Sequence, residues 1–373
     1  MGYIGSFTTL ALLLSGYRVI IVDNLANSSP VVLSRLELLT GQRPIFHECD
    51  VTDLPSLSAV FAQYPQGTIN SVIHFAALKS VGESAEVPLE YYRVNVGGTI
   101  TLLQAMQTAG VKTLVFSSSA TVYGDATRFE SMIPIPEECP LGPTNSYGRT
   151  KMMIEMVITD HVRAHKGWRA GLLRYFNPAG AHPSGIMGED PQGVPYNLLP
   201  LLGQVAVGRS EKLHVYGTDY SSHDGTAIRD YIHVMDLAEG HLFALRHLRS
   251  EEFPGPARGS PAYLEANKQP VVKPPGKNPG LELDIPPIME STEDNVSGGV
   301  CRAYNLGTGK GSTVFDIHRA FSDAVGKELP YELHPRREGD VLDLTAKVDR
   351  VWWEVGWKAE RTVAQACADL WVW

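Results

Sequence analysis

Several features that mark whole classes of protein are scarce in this chain. It has four cysteines in 373 residues, Cys49, Cys139, Cys301 and Cys367, and they lie far apart. No Cys-x-x-Cys pair occurs, which argues against zinc-ribbon and thioredoxin-type sites and against a dense disulfide framework. The four read as free thiols of a reducing compartment, so a cytoplasmic location is expected and the sequons at Asn27 and Asn295 carry no sugar. Positive charge is also short: 32 Lys and Arg stand against 41 Asp and Glu, a net charge of −9. That balance argues against a general nucleic-acid or membrane-surface binder. Long apolar runs are missing too. The run from Thr9 to Leu14 is too short to span a bilayer, and no basic segment precedes it.

What is there alternates. An apolar-rich helix following Gly2-Tyr3-Ile4-Gly5 ends at Gly16, and a strand from Arg18 to Val22 ends at the acidic Asp23. Glycines that admit a pyrophosphate to a helix N-terminus, then an acidic residue for a ribose, form the back half of a Rossmann fingerprint. This reading also absorbs Met1-Gly2 and Ser6, which formally fit a myristoylation pattern. No residues precede Met1 to supply the first strand and first glycine of that fingerprint, so a sheet without its first strand is expected. A strand at 44–50, a helix at 55–63 and a buried parallel strand at 71–77 follow, with His74 read as a core histidine. A long helix at 88–109 carries Asn95. A strand from Thr113 leads into Ser117-Ser118-Ser119, and another at 169–175 ends at Phe176-Asn177-Pro178. The repetition predicts an α/β fold with a Rossmann-type, doubly wound parallel sheet. A dinucleotide-binding domain is expected over 1–176 and a smaller α/β substrate domain over 177–373, which returns elements to the sheet. At 373 residues, one large or two fused domains are expected.

Tyr147 and Lys151 stand four apart, on one face of a helix that starts near Tyr147. A phenol titrates near 10, and a fixed cation one turn away favours its ionised form. Taken alone, the spacing fits an ordinary surface pair equally well. Ser119 strengthens the catalytic reading, because ligands of open parallel sheets bind beyond the carboxyl ends of the strands.

With these segments in view, the chain resembles the extended short-chain dehydrogenase/reductases, and among them the UDP-glucose 4-epimerase family. The likeness is carried by Gly2 to Ser6, Asp23-Asn24-Leu25, His74 to Lys79, Ser117 to Gly124 and Leu173 to Gly185. Further on it is carried by the stretches 188–193, 229–234, 304–307 and 335–340. The resemblance implies Tyr147 as acid/base, Lys151 as its neighbour and a ribose ligand, and Ser119 beside the reacting hydroxyl. It implies an NAD site lined by Gly2, Tyr3, Ile4, Gly5, Asp23, Asn24, Asp50, Val51, Phe75, Ala76, Lys79, Asn95 and Phe176. The nucleotide sugar would be held by Asn177, Asn197, Leu198, Arg229, Arg337 and Asp340, with Leu344 at a size-sensitive position. No metal is expected. The implied reaction interconverts UDP-glucose and UDP-galactose by transient oxidation at C4, and the implied assembly is a homodimer through the helices at 88–109 and 147–165.

Rival readings remain at this point. A 4,6-dehydratase of the same fold would carry an acidic pair after the active-site serine, where this chain has Ala120 and Thr121. A decarboxylase or uronate epimerase would need a carboxylate-recognising pocket, for which there is no distinct signal. A non-catalytic NAD- or nucleotide-sugar-binding protein is the reading of a different class, together with another nucleotide-sugar epimerase of the family. The Pro-rich stretch at about 250–299 fits neither helix nor central strand and is expected to be an inserted surface loop without catalytic duty.

Overall fold

The computed structural model describes residues 1–191, 195, 197–249, 298–337 and 339–373. Most of the insert expected at 250–299 therefore lies outside the described residues.

Parallel strands account for the first half. Strands β3 (Val72–His74), β4 (Thr113–Ser119), β5 (Arg169–Tyr175) and β9 (Val300–Leu306) form a four-stranded parallel sheet in the order β3-β4-β5-β9. Strands β1 (Ile20–Asp23) and β2 (Ile45–Glu48) make a separate parallel pair. No hydrogen-bonded register links β1 to β3. Their facing residues, among them Ile20, Val22, Val72 and Ile73, line a shared cavity.

The side-chain period of two sorts the strands between two apolar layers. On β4, Leu114 and Phe116 face one way, into a core with Leu57 and Val60 of helix α3 (Leu54–Ala62). Leu102 and Met106 of α4 (Gly98–Ala109) and Ile154, Ile158 and Val162 of α5 (Ser146–Ala164) complete that layer. Val115 faces the other way, with Leu12 of α1 (Tyr3–Leu14) and Leu237 and Leu245 of α7 (Val234–Leu248). Helices thus cover both faces, as a doubly wound sheet requires. Helix α2 (Val31–Thr40) closes a further cluster through Leu33 and Leu36.

The second half builds its own core. Strand β8 (Ile228–His233) is paired with β6 (Asn177–Ala179), β10 (Gly311–Thr313) and β12 (Asp343–Leu344). Strands β7 (Leu213–Tyr216) and β11 (Tyr331–His334) lie parallel beside it. Helices α6 (Leu198–Ala206), α8 (Val314–Val325) and α9 (Val363–Val372) pack here through Leu202, Phe321 and Cys367. From this same half, β9 and α7 return to the first sheet, so the two halves share one central structure. The strand expected from Arg18 begins only at Ile20, and the one expected at 44–50 runs from Ile45 to Glu48. The four cysteines are buried and free. Among the described residues, no helix is long and apolar enough to cross a membrane.

One buried ion pair ties α5 to the sheet. Arg174 on β5 donates from Nη2 to Glu155 Oε2 at 2.7 Å and from Nε to Glu155 Oε1 at 3.0 Å. Both residues are buried, at 3% and 0% exposure, so neither charge is open to bulk solvent. Ser118 donates to the same carboxylate at 2.5 Å, and the Arg174 Nη1 group donates to the Tyr123 hydroxyl and the Glu137 carbonyl at 3.0 Å each. Removing one partner leaves an uncompensated buried charge, whereas removing both does not. Arg174→Met is therefore expected to lower unfolding free energy by roughly 3–5 kcal/mol, and adding Glu155→Leu should recover much of that loss. Urea unfolding of the wild type, each single variant and the double variant checks this.

Candidate active site

Helix α5 starts where its sequence says it should. Asn145 caps it, its Oδ1 accepting from Gly148 N at 2.8 Å. Asn is among the strongest capping residues because its side chain satisfies an otherwise unpaired first-turn N–H. The cap places Tyr147 in the first turn, Lys151 one turn on and Glu155 one turn further, all on one face. Gly148 is a steric requirement. A Cβ there would stand 2.9 Å from the Thr121 carbonyl oxygen and 2.8 Å from Pro143 Cβ, so only glycine lets the first turn lie against the end of β4.

That close approach brings Tyr147 to Ser119. The Ser119 Oγ accepts from Thr121 N at 3.2 Å and from Thr121 Oγ1 at 2.9 Å. With its acceptor side engaged, its single proton is free to be donated, and the Ser119 hydroxyl acts on the Tyr147 phenol to lower its pKa. Thr121 is thus a positioning residue that sequence reasoning treated only as a missing acid. Its signal was its place two residues after Ser119, the spacing at which a serine side chain caps a short turn.

The expected effect of Lys151 on the phenol needs correction. Lys151 Nζ donates to the Ser117 carbonyl at 2.7 Å and lies 5.8 Å from the centroid of the Tyr147 ring. Burial pushes the Lys151 amine down to about 7, opposed by the Glu155 carboxylate. Burial pushes the Tyr147 phenol up to about 12, and the hydrogen bond from Ser119 only partly offsets this. Desolvation thus dominates both groups. His74 is the core histidine the sequence suggested: it is buried, contacts Thr99 Oγ1 at 3.0 Å, and burial with nearby Lys151 holds it down to about 3.

These residues open onto a cavity of about 2540 Å³ that runs from the start of α1 to the second half. Every residue expected at the cofactor and nucleotide-sugar sites lines it except Asn95. Leu344 lines it as well, opposite Arg229 in the β12–β8 register. Asn95 is 1% exposed, and its amide is fully engaged. It accepts from Leu78 N at 2.8 Å and donates to the Leu78 carbonyl and to Thr150 Oγ1, each at 3.0 Å. It lies in a wider helical turn, Tyr92–Gly97, and ties the loop after β3 to α5. The structure therefore gives it a positioning place behind the cavity wall.

At the cofactor end, Gly2 heads α1, and a Cβ there would meet open space. The Asp23 carboxylate ends β1. Burial would raise its pKa, but the Met1 ammonium and hydrogen bonds from Leu25 N and Ser28 Oγ hold it below the usual range. Asn24 donates to Asp50 at 2.9 Å, and Lys79 reaches Glu189 at 3.0 Å. At the other end, Arg229 is fixed by its own strand, donating to the carbonyls of Ile228 at 2.8 Å and Val341 at 2.9 Å. Asp340 stands between two guanidiniums, 3.0 Å from Arg337 Nε and 3.8 Å from Arg229 Nη2. Arg337 also lies over the Tyr216 ring at 4.9 Å.

This geometry agrees with what the chain is similar to. Residues 1–255 match the NAD dependent epimerase/dehydratase family. The chain belongs to that family. It is 52% identical over 372 residues to the bifunctional protein GAL10 of Pachysolen tannophilus, covering all of this chain and 47% of that protein. It is 49% identical to the UDP-glucose 4-epimerase uge1 of Schizosaccharomyces pombe, covering 100% of this chain and 91% of that protein. The chain thus spans about half the length of the bifunctional relatives it matches and nearly all of the shorter one. Among solved structures, a UDP-glucose-4-epimerase from Stenotrophomonas maltophila, crystallised with NAD and formylated UDP-arabinopyranose, superposes with a TM-score of 0.83. The two are 38% identical, and the match covers 100% of this chain and 95% of that one.

The Lys151 shift has a measurable consequence. In the unfolded chain this amine titrates near 10.4, and in the folded chain near 7. Between those values the unfolded chain holds the extra proton, so this group makes stability rise with pH from about 7 to about 10. Lys151→Met removes that rise. The stability of wild type relative to Lys151→Met is expected to increase between pH 7 and pH 9, read from urea midpoints at each pH.

Proposed function

We propose that this chain interconverts UDP-glucose and UDP-galactose, using NAD held along the cavity. The observation that carries the proposal is the Tyr147–Ser119–Lys151 cluster at the midpoint of one cavity, with a helix N-terminus at one end and two arginines at the other. The chemistry of the lining fits each part. The open N-terminal turn of α1 suits a pyrophosphate, and Asp23 at the end of β1 suits a ribose hydroxyl. Gly2, Tyr3, Ile4, Gly5, Asn24, Asp50, Val51, Phe75, Ala76, Lys79 and Phe176 would complete the cofactor wall. When bound, oxidised NAD supplies a hydride acceptor for a sugar carbinol carbon and a positive charge that adds to that of Lys151.

Around that centre the chain's own residues handle protons and position. Tyr147 would take the proton of the 4-hydroxyl and return it after the sugar has turned over. Its place in the first turn of α5 favours the ionised form, because the helix N-terminus carries positive partial charge. Ser119 donates to the phenolate and so lowers the cost of forming it. Inversion at one carbon needs a sugar that can rotate and a nucleotide that cannot. Arg229 and Arg337 suit the fixed end, since guanidinium groups grip phosphate oxygens bidentately. Asn177, Asn197, Leu198 and Asp340 would hold the rest of the nucleotide sugar. Asp340 neutralises the arginines until a diphosphate replaces it. Elimination chemistry finds no acid pair here: Ala120 is buried, and Thr121 hydrogen-bonds Ser119.

The proposal includes a homodimer through α4 and α5. Ile100 on α4 and Met153 and Met156 on α5 are exposed large apolar side chains, which supports that face. Incubating the purified chain with UDP-galactose should give UDP-glucose, and the protein should co-purify with NAD. Tyr147→Phe should lower turnover by about 10²–10⁴-fold, the usual contribution of a positioned acid/base, while keeping NAD. Wild-type protein that retains NAD without turnover would support the non-catalytic binding reading instead.

A further inference from the structure

Two neighbouring strands of the second half, one of which lines the same cavity through His214 and Tyr216, bring three metal-type ligands to one point. In the parallel register of β7 and β11, His214 stands opposite Glu332 and Tyr216 opposite His334. Side chains two apart on a strand share a face, so His214, Glu332 and His334 project together. The imidazoles meet at 2.7 Å between His214 Nδ1 and His334 Nε2. The Glu332 Oε2 lies 3.5 Å from His214 Nδ1 and 3.3 Å from His334 Nε2. All three donor atoms fall within 4.8 Å of one another.

We propose that His214, Glu332 and His334 form a binding site for a borderline divalent cation of the Zn²⁺ class. The donor set is two neutral imidazoles and one carboxylate, a combination that suits such ions better than it suits Ca²⁺ or Mg²⁺. The distances agree as well. With metal–ligand bonds of about 2.0–2.2 Å, tetrahedral ligand atoms stand about 3.3–3.5 Å apart. The two His–Glu separations already match, and the imidazole pair needs to open by about 0.6 Å on that geometry. The rings are half-exposed, which leaves a fourth position open to water, and Tyr216 packs 5.2 Å from the His334 ring and limits its rotation.

One charge opposes the ion. Lys212 Nζ reaches the same Glu332 Oε2 at 3.1 Å, so it both competes for the carboxylate and repels a cation. A second cluster, His223 with Asp224 and Asp316, serves as a control. Its carboxylates are already committed, Asp224 to Thr226 and Thr313, and Asp316 to the capping box of α8.

The test uses the full chain, Co²⁺ absorption as a probe of coordination and Zn²⁺ titration calorimetry for affinity. The proposal expects one Co²⁺ per chain with the strong visible bands of a tetrahedral site, displaced by Zn²⁺. His214→Ala and His334→Ala should each weaken binding by more than the roughly 10–100-fold that loss of an outer-shell partner costs, and Glu332→Gln should weaken it too. Lys212→Ala should tighten it, and His223→Ala should leave it unchanged. All five positions are substantially exposed, so unchanged circular dichroism is expected throughout. Absence of Co²⁺ binding, or binding lost in His223→Ala and kept in His214→Ala, would overturn the proposal. None of these readouts depends on turnover.

Discussion

The buried Glu155–Arg174 pair is the contact on which the candidate active site depends. It joins the third turn of α5 to the middle of the sheet with two hydrogen bonds, away from bulk solvent. An ion pair of that kind is poor evidence of net stability, because desolvation of both groups offsets their attraction. What it supplies is a fixed position along the helix axis. Tyr147 and Lys151 lie on the same helical face as Glu155, so holding Glu155 against β5 sets where the phenol and the amine meet the end of β4. Ser118 donates to Glu155 while its neighbour Ser119 serves the phenol, which ties the strand to the same clamp.

That arrangement explains why the electrostatics of Tyr147 and Lys151 run against simple expectation. Packing α5 tightly onto the sheet buries Lys151 and half-buries Tyr147, and both are driven towards their neutral forms. A lysine driven towards its neutral form lends less charge to its neighbour, and its protons go to the nearest carbonyl, that of Ser117. Two neighbouring groups thus have their charged forms disfavoured by desolvation on the wall of one cavity. Perturbed groups clustered in a cleft are what acid/base chemistry requires.

Much of this was legible in the residues. The layer structure followed from β-branched and apolar runs alternating with helical patterns, and β5 runs over the span 169–175 that its pattern suggested. The helix that carries Tyr147 was legible because its Tyr-x-x-x-Lys spacing is a local signal, whereas its cap, Asn145, was not read. Asn95 and the Glu155–Arg174 clamp were not read as positioning groups, because their partners lie 17 to 55 and 19 residues away and only the fold brings them together, whereas Thr121 was passed over although its partner is two residues away. The phenol's upward shift was misjudged for a related reason: spacing gives the position of a lysine but says nothing of how much water surrounds it.

The division of labour between the two arginines follows from their surroundings. Arg229 is nearly buried and held by two carbonyls of its own half, so it cannot move without disturbing β8 and the segment before β12. Arg337 is exposed, rests on the Tyr216 ring and is paired only three residues away, with Asp340. One guanidinium is preorganised and the other adjustable, with the Asp340 carboxylate between them to be displaced. A diphosphate entering that gap would meet a fixed contact first and a closing one second. Under the proposed function, such an anchor would hold the nucleotide without reaching the sugar, and the cavity that Ser119 and Tyr147 line would leave the sugar room to present either face.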